Sequence, residues 1–478
     1  MLIIATILLY FMCLLGVSWI TGRHTNNSDF FNARHSSPWY MVAFGMIGAS
    51  ISGVTFVSVP GMVINQQMTY LQTCLGYILG YFAVAFILLP VYYRLRLTSI
   101  YTYLQGRLGE RSYRTGAAFF LIGKMTGAAV KFYVVCIILQ RFVLEPYKIP
   151  FAVTVTVLVL LIWLYTRRGG IRTLVWTDSF QTLCMFVALA LIICKAASTL
   201  HLDMVQTIAS VAHDPRSNIF VMGNWMSPQN FWKQFLSGIF IVIVMTGLDQ
   251  DMMQKNLTCR SLKEAQKDLC SYGFAFFPAN LLLLGLGILL VHLAQQEGVA
   301  LPAQTDELML YYTAGGHLGA MVTVLFSIGI VAACFSSADS ALTAITTSIC
   351  VDICQKPQDE ALRKRTHFLV AVVFIIFIIA FRQLNSTSLI QTVLMLVGYT
   401  YGPLLGLFAY GLFTKRAVND RWVPYICTVS PLLCLAIDIA AQHLWNYQFG
   451  YELLMLNGLI TLAGMRLLPA KSVTKEIH

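Results

Sequence analysis

Charged residues are scarce in this chain. Asp, Glu, Lys and Arg make up 11% of its 478 residues, whereas roughly a quarter of the residues in a soluble domain are charged. This shortage excludes an ordinary soluble protein. Hydrophobic residues make up 58% of the chain, and the mean hydropathy is +0.71. We therefore predict a polytopic membrane protein, with residues 1–478 forming a single transmembrane domain.

The chain also has little that would build a catalytic or nucleic-acid-binding site. Its 9 His are scattered, and most of its 12 Cys lie inside apolar segments without the spacing of a metal site. No basic block interleaved with aromatic residues stands apart from the short loops. We therefore expect no enzymatic activity and no nucleic-acid partner, and no obligate protein partner is indicated.

Apolar segments account for most of the length. A helix that crosses a bilayer needs about 20 mainly apolar residues, and windows of this length predict about thirteen transmembrane helices in an all-α fold. The predicted spans are residues 2–21, 41–63, 70–92, 115–141, 150–166, 174–199, 231–251, 269–294, 318–351, 366–382, 387–412, 422–442 and 446–467. The first span follows no basic stretch and has no small-residue cleavage site, so we interpret it as a retained helix and not as a signal peptide.

The positively charged residues indicate how these helices are oriented. With the N-terminus outside, most of the 32 Lys and Arg fall in cytoplasmic loops, as the positive-inside rule requires. Lys255 is assigned to one of these loops, whereas Lys124, Lys131 and Lys195 fall inside predicted spans. We predict an outside N-terminus and a cytoplasmic C-terminus, and we attribute the net charge of +11 to topology.

Two polar interruptions occur in otherwise apolar helices. The first, Gly48-Ala-Ser-Ile-Ser-Gly-Val-Thr55, lies in the middle of a span and is followed by Pro60-Gly61. Helix breakers and spare hydroxyls are typical of a discontinuous helix, whose free carbonyls are hard oxygen ligands for a cation. Close packing of small residues between helices would also explain this composition.

The second interruption contains a carboxylate. Ser336, Asp339, Ser340 and Thr343 share one helix face. An ionised Asp339 in a membrane costs several kcal/mol unless it is paired or binds an ion. The pattern favours an ion pathway, and a structural pair with a buried lysine such as Lys124 or Lys131 is the alternative.

The residues around a third polar position, Asp178, resemble a known family, the sodium:solute symporters. The family pattern is matched by Gly-Gly-x5-Trp-Thr-Asp-x-x-Gln at 169–181, Ser-Gly-Val-Thr-Phe-x-Ser-x-Pro at 52–60 and Ala-x-x-Ser-Ser at 333–337. Leu97-Thr-Ser-Ile-Tyr-x-Tyr-Leu104 and Asp249-Gln-Asp-Met-Met-Gln-Lys255 are two further matches in the right order. The resemblance covers nearly the whole chain, and its motifs are most similar to those of bacterial sialic acid and sugar symporters. A solvated carboxylate near a helix start is the other interpretation of Asp178.

The resemblance implies the LeuT-type fold, in which two five-helix repeats of inverted topology enclose a binding site between their first helices. The repeats would comprise residues 41–200 and 230–412. A leading helix and loop at 1–40 would precede them, and two trailing helices with a short tail at 413–478 would follow. The sequence itself shows no internal repeat strong enough to establish this symmetry.

The resemblance also implies sodium as the coupling ion. In the family the principal sodium ion is held by carbonyl and hydroxyl oxygens, which correspond here to Gly48, Ile51, Ala333, Ser336 and Ser337. Sodium prefers several hard oxygen ligands, and every one of these residues carries one.

A second sodium site is found in some sialic acid carriers of this family, and it would comprise Asp178, Asp339 and Ser340 here. Asp339 is a departure from the pattern, because those carriers have a serine at this position. Two carboxylates would bind a cation more strongly, but they could also share a proton. We therefore predict one or two sodium ions per transport cycle.

The substrate is expected to bind between the two broken helices. The candidate contacts are Ser50, Ser52, Gly53, Thr55, Gln72, Cys74, Lys131, Asp249 and Gln250. Their hydroxyls and amides suit a sugar-like ligand and many other polar ligands. The arginine that clamps the carboxylate in sialic acid carriers is replaced by Ala128. Lys124 and Lys131 share its helix face. Either lysine could supply the missing charge, and the alternatives are that they pair with Asp or extend their ammonium groups to the membrane surface.

These features together predict a sodium-coupled symporter that imports a small polar solute across a bacterial inner membrane by alternating access. The solute classes considered are a sugar, a sugar acid such as sialic acid, and a related carboxylate. The alternatives are a proton-coupled carrier and a membrane sensor of a solute that performs no net transport. The predicted partners are the solute, sodium ions and the lipid bilayer.

Replacement of Asp339 tests the predicted second cation site. Asp339→Ala is expected to alter the sodium dependence of solute uptake, because it removes one of the two carboxylates. Uptake into proteoliposomes over a range of sodium concentrations measures this. An unchanged sodium dependence would contradict a second cation site.

Overall fold

The computed structural model of the protein is helical along nearly all of the chain that it describes. It describes residues 2–23, 25–144, 147–223, 225, 227–384, 389–445, 447, 449–450 and 452–467. Within these residues, eleven of the thirteen predicted spans coincide with one helix each, and the spans 41–63 and 231–251 coincide with two helices each. Residues at the start of the predicted spans 387–412 and 446–467 lie outside the described residues. The prediction of an all-α membrane protein is therefore confirmed.

The helices that form the predicted spans are numbered α1 to α15 in chain order. They are α1 Leu2–Thr21, α2 Trp39–Ser50, α3 Gly53–Gln66, α4 Tyr70–Arg94, α5 Glu110–Leu139, α6 Phe151–Thr166, α7 Ile171–Thr199, α8 Phe231–Gly247, α9 Gln250–Asn256, α10 Leu262–Glu297, α11 Ala320–Ile353, α12 Glu360–Leu384, α13 Leu389–Phe413, α14 Val423–Trp445 and α15 Glu452–Leu467. By length and composition, 7 helices of the described part can cross a membrane, or up to 9 if each bent pair is one span.

Two of the spans are broken and sharply bent. The helix axis turns by 63° between α2 and α3 and by 72° between α8 and α9. Each break lies in the first helix of one of the two predicted repeats, 41–200 and 230–412. This position agrees with an inverted repeat of the LeuT type, while the repeat boundaries themselves stay a prediction.

The first helix of each predicted repeat packs closely on the second helix of the other repeat. α8 crosses α4 at Gly238, where an added Cβ would lie 2.3 Å from the Thr73 carbonyl oxygen. α3 crosses α10 at Gly287, where an added Cβ would lie 2.0 Å from the Pro60 carbonyl oxygen. Small residues allow the backbones of membrane helices to approach this closely. The two crossings are therefore built in the same way, which supports the repeat.

A pair of substitutions on α10 tests this close packing. Gly287→Ala is expected to lower stability by about 1–3 kcal/mol, because the new methyl group would collide with the backbone of Pro60, which cannot rotate away. Gly285→Ala is the matched control, because an added Cβ there meets nothing closer than Val211 at 3.9 Å. Thermal unfolding of the purified variants in detergent measures the difference, and equal melting temperatures would contradict the crossing.

Candidate functional site

The break between α2 and α3 frees backbone oxygens inside the protein. α2 ends at Ser50, and Ile51 leaves the helical conformation with φ −77° and ψ 76°. The Ser52 amide donates to the Ser50 carbonyl at 2.9 Å, so the Gly48 carbonyl loses the donor that an unbroken helix would supply. The break therefore provides hard oxygen ligands at membrane depth, as predicted for a discontinuous helix.

The serine pair of α11 lies against this break. The Ser337 hydroxyl is within hydrogen-bond distance of the Ala49 carbonyl, at 3.1 Å, and of the Ala333 carbonyl, at 3.3 Å. Gly53 packs on the same helix, since an added Cβ would lie 2.2 Å from the Cys334 sulfur. The structure thus brings residues 333–337 next to residues 48–53, where the predicted sodium ligands lie.

Two tyrosines stabilise the second break, between α8 and α9. The Tyr92 hydroxyl donates to the Gly247 carbonyl at 2.9 Å, and the Tyr101 hydroxyl donates to the Leu248 carbonyl at 2.8 Å. Buried carbonyls need a hydrogen-bond partner, and the interrupted helix no longer supplies one here. The tyrosines therefore allow a non-helical backbone to exist in the membrane.

Asp249 caps α9 and also takes part in a buried ion pair. Its carboxylate accepts hydrogen bonds from the Asp251 amide and the Tyr401 hydroxyl, both at 2.8 Å. The Lys124 ammonium lies 3.2 Å from the Asp249 carboxylate and 2.6 Å from that of Asp251. Lys124 therefore forms an ion pair with aspartates, which is one of the roles considered for it above. Its partners are Asp249 and Asp251, and not Asp339.

A cavity of ≈ 170 Å³ lies between the two breaks. Aromatic rings, hydroxyls and charged groups line it. The polar part of the lining consists of Ser50, Thr55, Tyr70, Tyr77, Tyr81, Lys124, Lys131, Thr246, Asp249, Asp251, Tyr272, Ser337 and Tyr401. Four of the predicted substrate contacts are thus found together at the cavity, namely Ser50, Thr55, Lys131 and Asp249.

Lys131 differs from the other charged groups of the cavity. Lys124 pairs with Asp249 and Asp251, whereas Lys131 makes no hydrogen bond or ion pair with any residue that the structure describes. Its three N–H donors are therefore available to a bound solute. The four charges of the lining also balance one another, because two lysines face two aspartates.

Five predicted substrate contacts lie outside the lining of the cavity: Ser52, Gly53, Gln72, Cys74 and Gln250. The Gln72 amide donates to the Gln229 carbonyl at 2.9 Å, and the Gln250 amide donates to the Thr98 carbonyl at 2.9 Å. Buried amides are normally hydrogen-bonded within the protein, and these two connect helices to neighbouring segments instead of facing a solute.

Asp178 is buried deep in the protein and does not lie at a solvated helix start. Its carboxylate accepts a hydrogen bond from the Ser336 hydroxyl at 2.7 Å and lies 2.7 Å from the Lys255 ammonium. Only 2% of Lys255 is exposed, so the assignment of this lysine to a cytoplasmic loop is wrong. The break before α9 explains the difference, because it lets this short helix carry Lys255 into the interior.

The third member of the predicted second cation site, Asp339, lies near this ion pair. Asp339 is fully buried and lies about one helical turn after Ser336, whose hydroxyl donates to Asp178. Its carboxylate accepts hydrogen bonds from the Tyr165 hydroxyl at 2.6 Å and the Ser340 hydroxyl at 3.3 Å. Asp178, Asp339 and Ser340 therefore share one buried region, and Lys255 is an unpredicted fourth member of it.

Sequence reasoning missed Lys255 although a local signal existed. Lys255 follows Asp251 by four residues, so both lie on one face of α9. Tyr272 and Tyr401 were missed for another reason, since nothing near either residue in the sequence indicates that it lines the cavity.

The comparison with known families agrees with this geometry. A model of the sodium:solute symporter family matches residues 30–421. The chain belongs to this family. It is therefore a sodium-coupled symporter, and the resemblance inferred from the motifs is confirmed.

Two individual proteins of similar sequence are also transporters. The sodium-dependent multivitamin transporter of Oryctolagus cuniculus is 27% identical over 395 residues, which cover 78% of this chain and only 59% of that transporter. The sodium/sialic acid symporter NanT of Aliivibrio fischeri is 23% identical over 433 residues, which cover 86% of this chain and 83% of NanT. Both relatives are transporters.

A solved structure supports the fold. A Na+-coupled sialic acid symporter in a substrate-bound outward-open state has a TM-score of 0.83 to this chain at 21% identity, with 98% of this chain and 99% of that chain covered. The predicted LeuT-type fold is therefore confirmed.

The Lys124 ion pair can be tested by removing its charge. Lys124→Met is expected to destabilise the protein by about 3–5 kcal/mol, because it leaves two buried carboxylates without their cation. Lys195→Met, which removes an exposed lysine of α7, is the control and should change little. Thermal unfolding in detergent measures both variants, and a Lys124→Met protein as stable as the control would contradict the pairing.

Proposed function

We propose that this symporter imports a small organic anion of the sialic acid type together with sodium, by alternating access. The observation that carries the proposal is Lys131, whose ammonium faces the cavity between the broken helices without an ion-pair partner in the described part of the chain. A carboxylate fits this ammonium, and the hydroxyls of Ser50, Thr55 and Tyr272 fit the hydroxyls of a sugar acid.

Charge balance explains why an anion would need sodium. The cavity contains two lysines and two aspartates, so it is neutral before the solute enters. A bound carboxylate adds one negative charge in a region of low dielectric constant, where an unbalanced charge is costly. A sodium ion at the adjacent break restores neutrality, so each ion favours binding of the other.

We assign the principal sodium ion to the carbonyl oxygens of Gly48, Ile51 and Ala333 and the hydroxyls of Ser336 and Ser337. The free carbonyls at the end of α2 and the approach of Ser337 to them at 3.1 Å support this assignment. Ser336 already donates to Asp178. A hydroxyl has one donor and two lone pairs, so Ser336 can bind sodium while it keeps this hydrogen bond.

Lys131 would replace the arginine that sialic acid carriers of this family place at the position of Ala128. An ammonium offers three rotatable donors, whereas a guanidinium offers a planar fork. We therefore expect this chain to hold the carboxylate through a single ammonium and to accept carboxylates of more varied shape.

We further propose a bacterial inner membrane location, with the N-terminus outside and the C-terminus in the cytoplasm. The distribution of Lys and Arg between alternate loops supports this orientation. We propose no catalytic step and no protein or nucleic-acid partner. Proton coupling and solute sensing without transport are the competing functions, and both predict no sodium-driven accumulation.

Uptake into proteoliposomes tests the proposal. Labelled sialic acid, neutral hexoses, N-acetylated sugars, small carboxylates and proline are supplied with an inward gradient of sodium or of choline. Accumulation of sialic acid or another carboxylate only with sodium is the expected result. Uptake of neutral solutes alone would contradict an anionic substrate, and accumulation driven by a pH gradient without sodium would contradict sodium coupling.

Lys131→Met tests the proposed carboxylate contact. A hydrogen bond to a charged group contributes about 1.5–3 kcal/mol, so the variant should need roughly tenfold to a hundredfold more anionic solute for half-maximal uptake. Lys195→Met is the matched control, because it removes a lysine of α7 that lies outside the cavity. An unchanged half-saturation concentration in Lys131→Met would overturn the contact.

A further inference from the structure

A second cavity, of ≈ 710 Å³, has none of its described lining residues in common with the solute cavity. The residues that follow α1 and α6 and the first turns of α12 line it. Its lining contains five cationic side chains and a single carboxylate, namely Arg23, Arg167, Arg168, Arg363, Lys364 and Glu360. Cations that share one cavity repel one another unless an anion lies among them. The cavity therefore has the charge of an anion-binding site.

Arg363 is a buried cation in the wall of this cavity. Only 2% of it is exposed, and its buried Nε has no hydrogen-bond partner among the described residues. Its other two nitrogens make long contacts, at 3.5 Å to the Arg167 carbonyl and at 3.4 Å to the Glu360 carboxylate. Glu360 also lies 3.0 Å from the Lys364 ammonium. Buried polar groups normally have close hydrogen-bond partners, and phosphate oxygens match the planar fork of a guanidinium.

The other arginines of the cavity are held by tryptophans and not by carboxylates. Arg23, Arg167 and Arg168 form no ion pair with any residue that the structure describes. The guanidinium of Arg23 lies 3.6 Å from the ring centre of Trp19, and that of Arg167 lies 5.1 Å from the ring centre of Trp163. Tryptophan is enriched where a membrane helix meets the lipid headgroups. These contacts indicate that the cavity lies at headgroup depth.

The outer face of α6 connects this cavity to an apolar groove. Exposed side chains recur every three or four residues at Val153, Val157, Leu160 and Leu164, and the exposed Arg168 continues the series. Val153 and Val157 line a groove of ≈ 240 Å³ between α1 and α6, whose walls are almost entirely apolar. At 1.5 Å per residue, Val157 lies about 16 Å from Arg168 along the helix. Half of a bilayer core is about 15 Å thick, so an acyl chain that starts at the cavity reaches the groove.

We propose that this basic cavity binds the phosphate of one anionic phospholipid, whose acyl chain lies along the outer face of α6. Basic pockets between membrane helices on the cytoplasmic side of a membrane bind acidic headgroups, and the proposed orientation puts the cavity on that side. A free phosphate ion carries the same charge, but the apolar face that leads from the cavity to the groove favours a lipid. The site is separate from the solute cavity, so the proposal does not depend on the identity of the solute.

Equilibrium binding of tritiated dioleoylphosphatidylglycerol to the purified protein in detergent, measured by scintillation proximity, tests the proposal. We expect one saturable site, from which unlabelled dioleoylphosphatidylglycerol displaces the probe at least about tenfold more effectively than zwitterionic dioleoylphosphatidylcholine. Inorganic phosphate and glycerol phosphate carry the anionic group without acyl chains and should not displace the probe at the same concentrations. Equal displacement by the two lipids would overturn an anion-binding site, and displacement by inorganic phosphate would overturn the assignment to a lipid.

A pair of double variants locates the site. Arg168→Gln with Lys364→Gln removes two exposed cations of the cavity and should weaken binding of the labelled lipid roughly tenfold to fiftyfold. Arg94→Gln with Lys267→Gln is the matched control, because it removes two exposed cations that lie outside the cavity, and it should leave binding unchanged. Equal affinity of the two double variants would overturn the proposal. Thermal unfolding shows whether each variant is folded, and the competition between the two lipids needs no variant.

Discussion

The structure depends on a single constraint, which is that hydrocarbon offers no partner to a free carbonyl or amide. Two helices are nevertheless broken inside the protein, and each break needs polar groups from neighbouring helices. Tyr92 and Tyr101 satisfy the carbonyls at the second break. At the first break, only the Ser337 hydroxyl among the described side chains lies within hydrogen-bond distance of the carbonyls at the end of α2, at 3.1 Å from that of Ala49. The first break therefore keeps carbonyl oxygens available for an ion, whereas the carbonyls of the second break accept hydrogen bonds from tyrosines of the protein.

Buried charged side chains also need partners within the protein. Lys124 pairs with Asp249 and Asp251 at the cavity, and Lys255 pairs with Asp178 further along. Two charged side chains of these regions have no ion-pair partner among the described residues, namely Lys131 and Asp339. One is a cation that faces the solute cavity, and the other is an anion that accepts hydrogen bonds from Tyr165 and Ser340. In our account Lys131 binds the transported anion, while the paired charges hold the helices in place.

Much of the fold could be predicted from the sequence because membrane helices carry a strong signal. Twenty-residue apolar windows located the spans, and the run of small residues at 48–55 located the first break. The motifs around Asp178 and Ser336 then led to the family. Local sequence also singled out Ser50, Thr55 and Asp249, which lie at or next to a helix break and line the cavity, while their contact with a solute stays a prediction.

The rest of the site depends on contacts between residues that are distant in the sequence. Gln72 and Gln250 have the chemistry of substrate contacts, yet each is bound to a backbone carbonyl of another segment. Lys255 looked like a loop residue because charge counting treats every lysine outside a span as solvated. The bend of 72° between α8 and α9 brings Lys255 to Asp178. The residues around Lys255 do not allow a bend of that size to be predicted.

We propose that sodium and the anionic solute bind at one broken helix and stabilise each other there. Calorimetric titration of the purified protein with sialic acid, in sodium and in choline, tests it most directly. Coupling between two sites is typically about 1–3 kcal/mol and is reciprocal. We predict affinity at least about fivefold higher in sodium, which corresponds to the lower end of that range. Equal affinity in the two salts would contradict the account.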